Sequence, residues 1–136
     1  MTARRGSCLC KRIQYEIDGE FAYVGNCHCS NCRKSHGAAF ATFGAVAKDS
    51  LHFLSGDDAV ARYRSSPDVA RAFCQHCGAN LFSEVRSRPN TLHFRLGTPD
   101  DDPGVRPAFH AFVSSKAPWF EITDDLPQFP GLPRKP

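Results

Sequence analysis

The chain has 136 residues, a net charge of +3 and a pI near 8.5; this length fits one domain with a real core, since about two-thirds of the unfolded surface is hidden at this size. The weak basic excess is scattered, with short clusters only at 4–5, 11–12 and 33–34, which argues against a nucleic-acid binder and suits a small anionic ligand better. Residues 1–20 hold no apolar signal core, and no apolar run approaches the roughly 20 residues that span a bilayer, so a soluble, cytoplasmic protein is expected.

In chain order, "KRIQYEID" (11–18) alternates, with Ile13, Tyr15 and Ile17 on one face. That pattern predicts a half-buried strand. Gly19 punctuates it, and "FAYVGN" (21–26) reads as its partner, giving a hairpin over 11–26. "SNCRKSHG" (30–37) is too short for an independent helix; it reads as a knuckle with one helical turn ending at Gly37. "AAFATFGAVA" (38–47) predicts a buried strand, and "LHFL" (51–54) and "AVARYR" (59–64) two short strands around the turn "SGDD". "VARAFC" (69–74) enters a C-x-x-C loop and "NLFSEV" (80–85) leaves it, a second hairpin with cysteines at its tip. "TLHFRL" (91–96) and "FHAFVSS" (109–115) are the last strands. "PQFPGLPRKP" (127–136) is Pro-rich and suits neither sheet nor helix. About ten short strands without helical periodicity predict an all-β fold: one domain over 1–126, then a Pro-rich tail at 127–136.

Seven cysteines are an odd number, which a pure disulfide framework cannot pair, and in a reducing compartment clustered cysteines more often hold metal. Cys8 and Cys10 form C-x-C, and Cys74 and Cys77 form C-x-x-C followed by Gly78. Together they supply four thiolates, a common structural zinc set. The competing reading of Cys8 or Cys10 is a small buried apolar residue. Cys27, Cys29 and Cys32 remain, and three thiolates on one knuckle can hold a second zinc. Its fourth position is open to several readings. His28, between two ligands, should point away from the metal. His36 could close the site, although a solvated turn histidine fits it better. Pairing 27/29/32 with Cys8 or Cys10 instead would leave three thiols unused.

Arg33 and Lys34 follow Cys32 directly. Three thiolates on a zinc dication are net negative, so cations here would offset charge and attract a carboxylate-bearing substrate; for Lys34 a solvated turn residue is the better reading. His110 reads as a hydrogen-bonded structural histidine with a proton relay as the alternative. Trp119 reads as a plug at the core edge rather than a stacking platform.

The stretches "GSCLCKRIQYEI", "NCHCSNCRKSHGAAFATF", "FCQHCGANLF" and "HAFVSSKAPW", spanning residues 6–119, resemble the glutathione-dependent formaldehyde-activating enzymes, a family that includes centromere protein V. The resemblance implies a β-tent fold of stacked antiparallel sheets. It implies a structural zinc on Cys8, Cys10, Cys74 and Cys77 and a second, catalytic zinc on Cys27, Cys29 and Cys32. It also implies a carbon–sulfur lyase run in reverse, joining glutathione and formaldehyde to S-(hydroxymethyl)glutathione. Two other classes compete. B-type methionine sulfoxide reductases need a reactive cysteine late in the chain, and none follows Cys77. A non-catalytic, zinc-stabilised binding module would result if a protein ligand closed the 27/29/32 site.

Overall fold

The computed structural model describes residues 3–133; the last three residues of the Pro-rich segment, 134–136, lie outside the described residues. Among the described residues, ten strands and one short α-helix make an all-β fold of two sheets. The strands are β1 (Arg4–Ser7), β2 (Gln14–Ile17), β3 (Tyr23–Cys27), β4 (Ala41–Ala47), β5 (Leu51–Ser55), β6 (Val60–Arg64), β7 (Val69–Cys74), β8 (Asn80–Val85), β9 (Thr91–Arg95) and β10 (His110–Ala111). The helix α1 covers Ser30–His36.

The small sheet has the order β1-β2-β5, and the large one β10-β3-β4-β9-β8-β7-β6. All pairings are antiparallel except β10 on β3, which is parallel. The period-two pattern of 13–17 is realised: Ile13, Tyr15 and Ile17 are buried. The expected hairpin over 11–26, however, does not form. β2 pairs with β1 and β5, whereas β3 pairs with β4 and β10. The reason lies in the apolar faces. A strand burying one side needs an opposing face as well as an edge partner, and Leu92, Phe94, Phe82 and Val46 of the large sheet supply it. Tyr15 packs on Phe94 with ring centroids 4.6 Å apart, and Phe94 stacks on Phe82 at 5.5 Å. The chain therefore crosses between sheets after β2 instead of turning back along it.

The hairpin of β7 and β8 forms as expected, with a register shift between Ala72 and Phe73. The last strand is shorter than the 109–115 expected. Phe112 takes a left-handed conformation at φ 57°, which interrupts extended pairing, and Val113–Ser115 form a 3-10 turn. The tail then runs beside β10. His110 N–H donates to Pro127 O at 2.8 Å, and Phe129 N–H to His110 O at 2.8 Å.

The large sheet has two working faces. Along β9, Leu92 and Phe94 enter the core between the sheets, while His93 and Arg95 alternate to the other side. A second, smaller apolar cluster of Cys27, Cys32 and Ala41, with Cys29, Phe43 and Phe112 against it, is separate from that core. The two groups of cysteines divide between these clusters.

Candidate metal centres

Cys8, Cys10, Cys74 and Cys77 come together with all four sulfurs within 4.8 Å of one another. Cys8 and Cys74 are buried, and Cys10 is exposed. The one-residue gap works because the turn throws Leu9 into solvent, 82% exposed, and leaves both flanking sulfurs on one side, 3.6 Å apart. Cys10 and Cys74 sulfurs are 3.8 Å apart. A tetrahedron of sulfurs at about 2.3 Å from zinc has edges of about 3.8 Å, so this set fits the ion. Across the tip of the β7–β8 hairpin, Gly78 N–H donates to Cys74 O at 2.8 Å and Gly78 takes φ +76°, a conformation that glycine adopts freely. Backbone amides also stabilise the thiolates. Ile13 N–H donates to Cys8 Sγ at 3.3 Å. Burial pushes Cys77 up, but the Ala79 and Cys10 amides and the Cys74 and Cys10 thiols bring it down to about 6.

 Negative charge at the four-sulfur group is thus offset by main-chain donors.

Cys27, Cys29 and Cys32 also meet, their sulfurs within 4.8 Å of one another. Cys27 ends β3, Cys29 is the N-cap of α1, and Cys32 lies in its first turn. The Cys29 sulfur accepts the Cys32 amide at 3.3 Å, in place of the usual hydroxyl or carboxylate cap. The helix is longer than the single turn expected, and it stops at Gly37 at φ 60°. Its last turn is pinned to the strand leaving the other site: Ser35 Oγ donates to Asn80 Oδ1 at 3.1 Å, and Asn80 Nδ2 to Ser35 O at 3.3 Å. Hydrogen bonds from Cys27 and Cys32 hold Cys29 far below the ordinary thiol range, and the same bonds push Cys27 up. An all-sulfur donor set of this compactness fits zinc.

Neither nearby histidine joins the three sulfurs. His28 is fully buried and turns away, as its place between two cysteines implies. Its Nε2 lies 2.8 Å from His110 Nδ1, and His110 Nε2 lies 3.0 Å from Asp124. The carboxylate can only accept, so His110 Nε2 donates to it; a neutral His110 then accepts from His28 at Nδ1. His28 Nδ1 is left as a buried acceptor without a partner. Burial, with His110 and Lys116 nearby, lowers His28 to about 4. His36 is half-buried rather than a solvated turn residue; its Nε2 accepts from Arg95 Nε at 3.0 Å.

Arg33 is half-buried on α1 with its Nε buried and unpartnered, and Lys34 is exposed. Trp119 is not the core plug expected, being 70% exposed. The neighbouring Phe120 does the covering, 5.4 Å from Phe40 and 6.2 Å from His28 between ring centroids. Two residues that the sequence reading passed over complete the surroundings. Arg71 directs both Nη1 and Nη2 at Cys32 Sγ, each at 3.7 Å, and Arg95 lies beside it, both buried. Their signal was present: Arg71 interrupts the otherwise apolar run "VARAFC".

An all-β fold with a four-sulfur group and a separate three-sulfur group, each able to hold a metal ion, defines the class of protein. The particular family follows: the chain belongs to the glutathione-dependent formaldehyde-activating enzymes, whose family model matches residues 3–115. It is similar to an uncharacterized lyase of Schizosaccharomyces pombe, 34% identical over 82 residues, a stretch covering 60% of this chain and 58% of that relative. The chain thus spans somewhat more than half the length of that relative. The crystal structure of a Rhodobacter sphaeroides protein shares the fold, with a TM-score of 0.61 and 24% identity, covering 76% of this chain and 91% of that one. Among the described residues, no helix is long and apolar enough to cross a membrane.

Proposed function

We propose that this chain joins a low-molecular-weight thiol, glutathione or a close analogue, to formaldehyde or another small aldehyde. This is a carbon–sulfur lyase activity of the S-(hydroxymethyl)glutathione synthase type, written in the direction of addition. The observation that carries it is the three-sulfur group of Cys27, Cys29 and Cys32, with no fourth protein donor grouped with it among the described residues. A zinc ion bound there would supply an open position and lower the pKa of an incoming thiol, so that it is present as the nucleophilic thiolate. The four-sulfur group of Cys8, Cys10, Cys74 and Cys77 takes the structural role.

The chain's own residues do the rest. In the reaction a sulfur–carbon bond forms, the carbonyl π bond breaks, and the thiol's proton ends on the former aldehyde oxygen. Cys29 as N-cap and Cys32 in the first turn fix two sulfurs on one rigid element, and Cys27 brings the third from the end of β3. Arg33, its Nε unpartnered, is the group we assign to a carboxylate of the thiol substrate. Glutathione, with two carboxylates and one ammonium, suits a mildly basic protein.

Titration of the zinc-loaded protein with glutathione by calorimetry, and of a cobalt-substituted second site by absorbance, tests the reading. Saturation below millimolar glutathione, lost in Cys29→Ser, is expected. Failure to bind, or binding indifferent to Cys29→Ser, would overturn it in favour of a zinc-stabilised interaction module.

A further inference from the structure

Arg71 and Arg95 are 8% and 6% exposed. Burying one guanidinium without a counter-ion is costly, and burying two side by side is costlier still. Yet among the described residues neither forms an ion pair with an aspartate or glutamate. The side-chain partners of Arg71 are Ser65 Oγ at 3.0 Å and Cys32 Sγ. Those of Arg95 are His36 Nε2, Ser83 Oγ at 2.5 Å and the carbonyl of His93 at 3.0 Å. All but the sulfur are neutral. Burial and the neighbouring Arg71 work against the charged form of Arg95, and the negative charge that the pair faces, that of Cys27, Cys29 and Cys32, works for it.

The strands fix this placement. Arg71 and Ser83 are cross-strand partners on β7 and β8, and Ser83 is the partner of His93 on β9. Arg95, two residues beyond His93, lies on the same face and reaches back to Ser83. Both cations are therefore mounted on the rigid sheet while the sulfurs are mounted on α1 and the end of β3. Lys34 reaches solvent from α1, where water screens it, while Arg33 is half-buried.

The charge balance has a consequence for the ligand. Three thiolates around a zinc dication leave one net negative charge, and two buried guanidiniums turn this into one net positive charge. A neutral fourth ligand, such as water or imidazole, keeps that buried positive charge. An anionic fourth ligand cancels it. At the four-cysteine group the ligand set is already complete, and no guanidinium donates to its sulfurs among the hydrogen bonds described; backbone amides serve instead.

We infer that Arg71 and Arg95 are a built-in counter-charge that selects an anionic fourth ligand at the Cys27/Cys29/Cys32 site, a thiolate under the function proposed above, on which that last step rests. They are positioning residues: they act through the sulfurs and the charge balance, without requiring contact with the substrate.

The test uses the full chain with cobalt in the second site and reads ligand binding from the visible spectrum. The probes are 2-mercaptoethanol, which binds as its thiolate with release of its proton to solvent and has no carboxylate to confuse the result, azide as a small anion, and imidazole as a neutral ligand. Wild type should bind both anionic probes in preference to imidazole. Arg71→Gln and Arg95→Gln should each weaken the anionic probes about tenfold, a loss of the order expected for removing one nearby charge, and leave imidazole unchanged or tighter. Arg71→Lys, which keeps the charge, should retain most of the preference. Equal affinity of wild type for azide and imidazole overturns the inference with no variant needed. Unchanged probe affinities in folded, cobalt-loaded Arg71→Gln and Arg95→Gln overturn it as well. Azide binding that obeys these rules while wild type refuses every thiol would support the counter-charge and sink the thiol reading alone.

Discussion

Replacing Cys74 by serine removes one of four sulfurs from a site that is continuous with the main core. Cys74 is 0% exposed and clusters with Cys8, Ile13 and Leu81. Structural zinc sites contribute roughly 10–16 kcal/mol of apparent binding free energy, so one ligand in four carries roughly 2.5–4 kcal/mol. A domain of this size has about 5–15 kcal/mol in total. Cys74→Ser should therefore lose a large part of its stability, with a urea midpoint lower by about 2 M at a slope of ~1.5 kcal/mol/M. Cys29→Ser is the matched control. Cys29 is half-buried, and a serine hydroxyl is a better acceptor for the Cys32 amide than the sulfur it replaces. Its loss should stay within about 1–2 kcal/mol, chiefly from weakened metal binding at the second site. The assay is urea unfolding followed by circular dichroism in zinc-replete, reducing buffer, with zinc counted on each folded protein. Equal midpoints for the two variants would refute the division into a folding site and a chemistry site.

Other expectations are more quickly tested. Zinc-replete protein should carry two metal ions per chain, and mild chelation should remove the one on Cys27, Cys29 and Cys32 first while the circular dichroism spectrum persists; a fixed ratio of one counts against the second site. Gly25→Ala should destabilise by about 1–3 kcal/mol, because the ring of Phe109 occupies the space its Cβ would need, and thermal unfolding measures this. Burial, with Arg95 and Arg88 nearby, lowers His93 to about 4, and its Nε2 shares a 2.9 Å hydrogen bond with the Tyr23 hydroxyl. The unfolded chain binds this proton near pH 6.5 and the folded chain does not, so the His93 contribution is complete above about 6.5 and is lost as pH falls toward 4. His93→Gln should flatten the slope of stability against pH in that window by up to one proton; an unchanged slope refutes the assignment.

Cysteine spacing made both metal-capable groups legible because ligands must come in compact sets, and each set sits on a turn that its own local sequence builds. Strand positions were legible for a similar reason, since alternation at 13–17 and 91–96 is a local property. Strand partners were not. Nothing within 11–26 tells Tyr15 to face Phe94 instead of turning back along β3, because that choice is made by residues from the other sheet. The same limit hid Arg71 and Arg95. Arg71 stands out in an otherwise apolar strand and Arg95 does not, but only the sheet register sets Arg71 against Cys32 with Arg95 on the same face. His36 followed suit: its partner is 59 residues away in sequence. Trp119 was misplaced because a lone tryptophan usually buries more area than a phenylalanine, but here Phe120 takes the inward position.

The two sites are also mechanically unequal. The loop of the four-sulfur group leads directly into Asn80, and Asn80 holds the last turn of α1 through both bonds to Ser35. Loosening that loop would release the C-terminal end of the helix carrying Cys29 and Cys32. The reverse does not hold, because β7 and β8 are joined by their own ladder from Val69 with Val85 to Phe73 with Asn80, and β8 is further paired with β9. Order thus propagates from the four-sulfur group toward the three-sulfur group. Under the function proposed above, a site that exchanges its fourth ligand would gain from this arrangement. Two of its sulfurs are held on one short helix, and the buried cations facing them are mounted on the sheet and need no reorganisation when an anion arrives.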